Sequence, residues 1–316
     1  MKTSDAQGIL ILGGSGFIGK ALTAKLQSTY PEIYTISRRN HDCQTFTNVL
    51  HYQCSLDNLE VLARLLPRCR TLFHLASETT PGSSTLHPAI EATNNLLPSL
   101  RLLECLQNFP HVNLVYVSTG GAIYGNIDAE KVSEEMPLFP LSYYGAGKAA
   151  LEKFICAYCR QTGNNAVILR PSNVYGPGQE FREGFGIIAT TLKNLLAGKV
   201  VPVWGRGDAV RDYLYIDDFI DFCCKILNEE GAYRDRDADV YNIGSGKGYS
   251  IEELMQMIEK ITGLIIARTP MAARTIDVQR VVLNSAKAEK KFAWLAQTDL
   301  QTGIEKTWRW FCTHQR

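Results

Sequence analysis

A glycine-rich segment near the amino terminus constrains the fold of this chain more than any other feature. The apolar stretch Gly8 to Leu12 runs directly into Gly13-Gly14-Ser15-Gly16-Phe17-Ile18-Gly19, and an amphipathic helical pattern follows. Glycines at these spacings allow a tight turn, close approach of a pyrophosphate to main-chain N–H groups, and close packing of helix on strand. The segment therefore predicts the first strand, turn and helix of a dinucleotide-binding domain.

The first half of the chain alternates short apolar strands with amphipathic helices. The strand candidates are Gly8 to Leu12, Ile33 to Ser37, Thr71 to Leu75, Leu114 to Ser118 and Ala166 to Arg170. The helix candidates, with apolar residues at three-to-four spacing, are Lys20 to Ser28, Leu59 to Leu66, Leu96 to Gln107 and Ala149 to Gln161. This alternation predicts an α/β fold with a Rossmann-type doubly wound parallel sheet, covered by helices on both faces.

The pattern becomes less regular from about Gly176, where glycine and proline clusters separate short helices. We interpret residues 1–175 as the dinucleotide-binding domain and residues 176–316 as a smaller C-terminal α/β lobe that binds the substrate. The segment Tyr215 to Leu227 resumes the pattern of strand and helix. We therefore assign returning segments near residues 210–245 to the first domain.

Composition and charge exclude several kinds of partner. The chain of 316 residues has 33 lysines and arginines against 32 acidic residues, whereas nucleic-acid binders usually carry a basic excess. The apolar run Ile9 to Ala21 is broken by glycines, and no other stretch approaches the roughly 20 apolar residues of a membrane span. Nine cysteines without a pairing pattern predict reduced thiols, and Cys156 and Cys159 lack a second pair for zinc. We expect a cytoplasmic protein without metal, nucleic-acid partner or membrane partner.

The end of the second strand bears on which dinucleotide is bound. NAD enzymes place Asp or Glu there to accept the ribose 2′-hydroxyl, but this strand ends Ser37-Arg38-Arg39. Two guanidinium groups beside a small hydroxyl suit a 2′-phosphate, which they can bind through charge-assisted hydrogen bonds. Of the two nicotinamide dinucleotides, the sequence thus favours NADP(H) over NAD. The alternative is that both arginines are solvated surface charges.

A hydroxyl-ended strand and a Tyr/Lys pair indicate catalysis. Val115-Tyr116-Val117-Ser118-Thr119 ends with hydroxyls at the edge where open parallel sheets bind ligands. Tyr144 and Lys148 then begin a helix, and their spacing of four places the phenol and the ammonium on one face. A cation beside a phenol lowers its pKa from the ordinary value of about 10. We therefore expect Tyr144 to act as a base.

Segments along nearly the whole chain resemble, in order, the extended short-chain dehydrogenases/reductases, specifically their nucleotide-sugar epimerase/dehydratase group. They are Gly13 to Gly19, His74-Leu75-Ala76, Asn95 to Glu104, Ser118 to Gly125, Tyr144 to Lys148, Arg170 to Pro177, Val210 to Tyr213 and Tyr241 to Gly246. The resemblance implies an NAD(P)-dependent enzyme that acts at the sugar C4 of a nucleotide-sugar held by the second lobe. It also implies a homodimer formed through two helices of the first domain.

The resemblance assigns roles to the catalytic residues. Thr119 steadies the substrate oxygen, Tyr144 moves the proton, and Lys148 tunes Tyr144 and holds the nicotinamide ribose. Many family members carry the catalytic hydroxyl at the position that is Gly120 in this chain. We therefore assign the role to Thr119, with Ser118 as the alternative.

The resemblance also defines two binding sets. The cofactor-binding set is Gly13, Ser15, Gly16, Phe17, Ile18, Gly19, Ser37, Arg38, Arg39, Ser55, Leu56, Leu75, Ala76, Ser77, Tyr144, Lys148 and Pro171. The substrate-binding set is Thr119, Asn173, Arg211, Tyr213, Arg274 and Val281.

Two arginines are implied ligands of the substrate diphosphate. Arg211 and Arg274 carry guanidinium forks that suit phosphate, although Arg211 could instead pair with Asp212 or Asp217. Where the family often has an asparagine pair over the substrate, this chain reads Gly186-Ile187, which leaves those contacts open.

Position 281 bears on the size of the sugar. In the sugar epimerases a bulky tyrosine, four residues after the aspartate of an Arg-x-x-Asp pattern, excludes an N-acetyl group. Here that pattern runs from Arg274 to Asp277, and the residue is Val281. We expect a pocket that admits N-acetylhexosamines.

Two reactions are compatible with these motifs. Dehydratases of the group place Asp-Glu after the threonine, whereas this chain has Gly120-Gly121, so dehydration is not expected. Ser118 to Gly125 resembles the 4-epimerases, which act on UDP-hexoses or UDP-N-acetylhexosamines and keep NAD bound. Ser37 to Arg39 instead resembles the NADPH-dependent 4-keto-sugar reductases. We favour the epimerase by analogy. A non-catalytic dinucleotide sensor is a distant alternative, since it would be expected to lack Tyr144 or Lys148.

Overall fold

The computed structural model describes residues 7–40, 47–181, 186–229, 231–233 and 237–314. The strands are β1 (Gly8–Leu12), β2 (Ile33–Ser37), β3 (Val49–Gln53), β4 (Cys69–His74), β5 (Asn113–Val117), β6 (Ala166–Pro171), β7 (Asn173–Tyr175), β8 (Val201–Trp204), β9 (Val210–Tyr215), β10 (Ala238–Ile243), β11 (Gly248–Ser250), β12 (Arg268–Met271) and β13 (Arg280–Val281). The helices are α1 (Phe17–Leu26), α2 (Leu59–Leu65), α3 (Pro88–Glu91), α4 (Leu97–Leu106), α5 (Gly120–Ile123), α6 (Tyr143–Thr162), α7 (Ile187–Leu196), α8 (Ile216–Asn228), α9 (Ile251–Thr262), α10 (Ala286–Phe292) and α11 (Leu300–His314). A 3-10 turn, Leu66–Arg68, follows α2, and a π-helical turn, Ala92–Leu96, joins α3 to α4.

The largest sheet of the described part is parallel and has seven strands in the order β10-β6-β5-β4-β1-β2-β3. Alternate residues of β1 enter different apolar clusters on the two faces of the sheet: Ile9 and Ile11 in one, Leu10 and Leu12 in the other. This arrangement confirms the prediction of a Rossmann-type doubly wound α/β fold.

The five predicted strands are all present in this sheet, and β1 and β2 have the predicted bounds. The segments predicted as Thr71 to Leu75 and Leu114 to Ser118 begin and end slightly earlier, as β4 and β5. Strand β3 was not predicted. It lies at the edge of the sheet, where only Val49 of its five residues is buried, so its sequence lacks the apolar run of an interior strand.

The predicted helices correspond to α1, α2, α4 and α6, and α6 begins at Tyr143, one residue before the Tyr144 to Lys148 segment predicted to begin it and six before the apolar pattern at Ala149. Two glycines in the Tyr144 to Lys148 segment make it a weak helix former. The Ser142 side chain compensates by accepting a hydrogen bond of 3.1 Å from the amide of Gly145. The Tyr/Lys pair therefore lies within the first turns of a helix of 20 residues.

A second sheet has the order β11-β9-β13, with β7 also paired to β9, and β12 and β8 form a separate pair. Strand β7 lies within the predicted first domain and β9 within the predicted returning segment, and both belong to this second sheet. The chain passes from one sheet to the other at Ser172, between β6 and β7. The Ser172 amide still donates a hydrogen bond of 2.9 Å to the carbonyl oxygen of Ile243 on β10. Strand β10 returns to the main sheet beside β6, and α8 packs against α1. The domain boundaries remain a prediction.

Two further observations concern the helices and the cysteines. Within the described ranges, no helix combines the length and apolarity that a membrane crossing requires. The eight cysteines of the described part are free thiols, Cys156 and Cys159 among them.

Candidate active site

The glycine loop joins β1 to α1. Gly13 has φ +88°, in the left-handed region that favours glycine. A Cβ at Gly19 would lie 2.2 Å from the carbonyl oxygen of Gly13, so the helix packs on the loop only without a side chain there. The N-cap residue Gly16 makes no side-chain capping bond, and the first turn holds no acidic residue. The free N–H groups of α1 therefore fit the pyrophosphate of a dinucleotide.

The remaining predicted cofactor residues lie around this loop, at the carboxyl ends of neighbouring parallel strands. They are Ser15, Phe17 and Ile18 in the loop and α1, Ser37 at the end of β2 with Arg38 and Arg39 after it, Ser55 and Leu56 after β3, Leu75 to Ser77 after β4, and Pro171 at the end of β6. The structure thus brings the whole set to one edge of the sheet.

An ion pair crosses the edge above the glycine loop. Nη1 of Arg38, beyond β2, lies 2.6 Å from Oε1 of Glu78, beyond β4, and β1 separates those two strands. Asn94 donates to the other Glu78 oxygen over 3.1 Å. Arg39 is exposed, and its carbonyl accepts a hydrogen bond of 2.8 Å from the Ser37 hydroxyl. One of the two guanidinium groups predicted to bind a 2′-phosphate therefore already has a carboxylate partner.

Lys148 lies at the buried centre of the site, with 6% of its surface exposed. Its Nζ donates to the carbonyl oxygen of Val117 over 2.9 Å and lies 4.9 Å and 5.8 Å from the ring centroids of Tyr116 and Tyr144. Burial lowers the pKa of Lys148 to about 8, and the carboxylate of Glu91 opposes that effect. The structure therefore holds a cation beside the phenol of Tyr144.

The two candidate hydroxyls follow β5 directly. Ser118 is 4% exposed, and its hydroxyl has no hydrogen-bond partner among the described residues. Thr119 is half-buried and precedes α5 without making a side-chain cap, so it is the more accessible hydroxyl. A Cβ at Gly120 would lie 2.9 Å from the carbonyl oxygen of Arg170. That close approach explains why no hydroxyl residue occupies the usual family position.

Four predicted substrate residues lie on adjacent strands of the second sheet. Asn173 on β7 pairs in register with Tyr213 on β9, whereas Val281 on β13 pairs with Arg211 on β9. The Asn173 amide lies against Gly121, beside the hydroxyl-ended strand, since a Cβ there would be 3.1 Å from its Oδ1. Tyr213 and Val281 are 4% and 3% exposed and pack within apolar clusters. Their predicted substrate contacts therefore involve buried side chains.

Two arginines and a tryptophan form the far part of the site. Burial lowers the pKa of Arg211, and the nearby positive charge of Arg274 adds to this effect. Arg274 makes two hydrogen bonds of 2.8 Å to Asp277 and lies 4.9 Å from the ring centroid of Trp204. Asp212, a predicted alternative partner of Arg211, instead accepts backbone N–H groups of neighbouring loops.

Glu78 and Trp204 were not predicted as site residues. Each carries a signal in the sequence: Glu78 follows Ala76-Ser77 after a predicted strand, and Trp204 directly precedes the turn Gly205-Arg206-Gly207. Because each approaches an arginine through tertiary structure, neither signal was sufficient by itself. Gly186, the first of the two positions where the family often has an asparagine pair, lies immediately before α7.

The chain belongs to the NAD dependent epimerase/dehydratase family, whose model matches residues 9–244. It is an enzyme of the extended short-chain dehydrogenase/reductase type, as the resemblance implied, and NAD(P) dependence is consistent with that family.

Individual relatives align over nearly the whole chain. The UDP-glucose 4-epimerase of Mycolicibacterium smegmatis is 29% identical, over 96% of this chain and 97% of that protein. The structure of the Thermotoga maritima UDP-glucose 4-epimerase with UDP-glucose has a TM-score of 0.89 at 30% identity, covering 98% and 100% of the two chains. The Thermus thermophilus UDP-glucose 4-epimerase complex with NAD gives 0.88 at 28% identity, covering 97% and 99%. An Escherichia coli dTDP-4-dehydro-6-deoxyglucose reductase is 27% identical over 95% of this chain and 96% of its own length. The family is thus shown, and its members differ in reaction.

Proposed function

We propose that this enzyme is a nucleotide-sugar 4-epimerase acting on a UDP-hexose or UDP-N-acetylhexosamine. The observation that carries the proposal is the buried Lys148 ammonium, held by the carbonyl of Val117 beneath the ring of Tyr144. The Thr119 hydroxyl lies at the end of the same strand. These groups form the proton-transfer part of a reaction at a carbinol carbon.

Each side chain has a defined task in that reaction. The bound nicotinamide supplies hydride acceptance from the sugar C4 and hydride return to the opposite face, so no net oxidation occurs. Tyr144, as the phenolate, takes the proton of the C4 hydroxyl and later gives it back. Lys148 stabilises the phenolate electrostatically, and Thr119 donates a hydrogen bond to the C4 oxygen. Arg211 and Arg274 hold the diphosphate.

The geometry around the two glycines argues against a dehydratase. An acidic side chain needs a Cβ. At Gly120 that Cβ would lie 2.9 Å from the carbonyl oxygen of Arg170, and at Gly121 it would lie 3.1 Å from Oδ1 of Asn173. A side chain at Gly120 would therefore displace its neighbours, and one at Gly121 would require the Asn173 amide to shift, so the site is not built for the acid and base that removal of water requires.

A 4-keto-sugar reductase is the second candidate, favoured by Ser37 to Arg39 and by the reductase among the relatives. The Arg38–Glu78 ion pair supports NAD and hence the epimerase. Glu78 places a carboxylate 2.6 Å from the guanidinium that a 2′-phosphate would need, and like charges repel.

The decisive measurement is turnover by the purified protein without added cofactor. We expect interconversion of UDP-glucose and UDP-galactose, or of their N-acetylated counterparts, with NAD released only on denaturation. Stoichiometric oxidation of NADPH by a nucleotide-4-keto-sugar, without interconversion of epimers, would establish the reductase instead. Tight dinucleotide binding without either reaction would indicate a sensor.

The pocket size leads to a prediction at position 281. Val281→Tyr should lower the ratio of kcat/KM for N-acetylated over plain UDP-hexose, because a larger side chain beside Arg211, its register partner on β9, would leave less room for the N-acetyl group. Val281→Leu is the matched control for overpacking in this buried cluster, which costs about 1–3 kcal/mol. The ratio does not depend on the amount of folded protein. An unchanged ratio in Val281→Tyr would exclude a gate here.

We also propose a cytoplasmic homodimer. The apolar side chains of Ile90, Leu97 and Phe154, on α3, α4 and α6, are 40%, 44% and 47% exposed, and a partner subunit would cover them. The free cysteines of the described part agree with a reducing compartment.

A further inference from the structure

A buried carboxylate lies beside the Tyr/Lys pair without a part in the mechanism above. Glu91, the last residue of α3, is 4% exposed. Its Oε1 packs against Gly147, where a Cβ would lie 2.5 Å from that oxygen. Gly147 directly precedes Lys148, and one small cavity is lined by both Glu91 and Lys148. Burying a carboxylate is costly, so this position indicates a specific role.

The hydrogen bonds around Glu91 favour its ionised form. Asn95 donates to the Thr79 hydroxyl over 2.8 Å, which leaves the hydroxyl hydrogen of Thr79 to be donated to Oε2 of Glu91. The Asn95 amide also hydrogen-bonds Glu91 and, like Thr79, works against the rise in its pKa that burial causes. Because both partners are neutral, they leave the negative charge of Glu91 uncompensated.

We propose that Glu91 is a positioning residue whose carboxylate keeps the buried ammonium of Lys148 protonated beneath Tyr144. The effect of Glu91 on catalysis rests on the proposed function. Its interaction with Lys148 does not, because the two charges interact whether or not substrate is bound. Burial disfavours a cation, and a nearby anion offsets that penalty. Without Glu91, the proton that Lys148 needs to stabilise the phenolate would be lost at lower pH.

The other titratable groups facing Lys148 supply less of this charge than Glu91 does. Burial lowers the pKa of His74 on β4 to about 3 and raises that of Tyr116 on β5 well above its ordinary value, so both rings are neutral. Glu152, one turn further along α6, also raises the pKa of Lys148, but less than Glu91 does. It accepts hydrogen bonds of 3.1, 3.2 and 2.6 Å from Arg170, whose positive charge compensates that of its carboxylate. Glu91 is therefore the carboxylate facing Lys148 that is free of a cationic partner among the described residues.

The test is an NMR titration of the Lys148 side-chain nitrogen in the full-length protein with NAD bound. The resonance is assigned by its loss in Lys148→Met. In Glu91→Gln, which keeps the volume and can still accept from Thr79, we expect the midpoint of the Lys148 titration to fall by about one pH unit or more. Glu104→Gln, which neutralises an exposed carboxylate on α4, is the matched control and should leave it unchanged. An unchanged midpoint in Glu91→Gln, with the protein folded and NAD bound, would overturn the inference.

A pH profile of kcat/KM provides the catalytic readout. Loss of the Lys148 proton defines the alkaline limb, so that limb should move to lower pH in Glu91→Gln by the same interval as the NMR midpoint. A uniform loss of activity at every pH would mean that Glu91 only supports the structure. If the wild-type enzyme turns over no sugar nucleotide, the proposed function fails, whereas the NMR titration still decides the role of Glu91.

Discussion

Tyr144→Phe should reduce kcat/KM for the sugar nucleotide by about 10²- to 10⁴-fold, the usual contribution of a positioned acid–base group. The substitution removes only the phenol oxygen, which takes and returns the proton of the C4 hydroxyl. The backbone amide of Tyr144 still donates to the Ser84 hydroxyl over 3.2 Å, so the first turn of α6 keeps its anchor. Affinity for NAD should therefore change little. Steady-state kinetics and calorimetric titration with NAD measure the two effects separately.

The neighbouring tyrosine provides the control. Tyr143 belongs to the same helical turn but is 47% exposed, and Tyr143→Phe should retain wild-type kinetics. If Tyr144→Phe kept most of its activity while Tyr143→Phe lost it, the register assigned to the helix would be wrong. If both variants stayed active, another group would have to move the proton.

The parts of the fold that follow from local pattern were predictable, because apolar periodicity directly reflects burial. Strands β1 and β2 have their predicted bounds, since interior parallel strands are apolar on both faces. Strand β3 was missed because an edge strand buries little. The start of α6 was predicted to within one residue from the Tyr144 to Lys148 segment, although two glycines weaken the apolar pattern before Ala149 and the stabilising Ser142 cap lies outside the predicted helix.

The site was predictable where its geometry is local. A spacing of four residues suffices to place Tyr144 and Lys148 on one helical face. Spacing gives no information on contacts between distant segments, such as the pairing of Arg38 with Glu78 or the packing of Glu91 against Gly147. The depth of a charge in the fold is likewise set by tertiary packing. The π-helical turn after Glu91, a feature common at functional sites, also has no signal in the spacing of apolar residues.

Glu152→Gln should lower the free energy of unfolding by about 3–5 kcal/mol, because it leaves a buried guanidinium without its counter-charge. The Glu152 and Arg170 side chains are 3% and 6% exposed. Arg170 also donates to the Tyr124 hydroxyl over 2.9 Å, and that hydroxyl donates to Asn242 of β10 over 2.6 Å. The ion pair thus connects α6 and β6 with the returning strand. Urea denaturation followed by circular dichroism measures the loss.

An exposed ion pair near the same region supplies the comparison. Arg160 and Asp237 lie 3.2 Å apart with side chains 64% and 31% exposed, so Asp237→Asn should change stability by less than about 1 kcal/mol. Equal effects of the two substitutions would mean that solvent reaches Arg170 and that burial does not set its energetics. A large effect confined to Glu152→Gln would identify the α6–β6 ion pair as the element that holds the catalytic helix against the sheet.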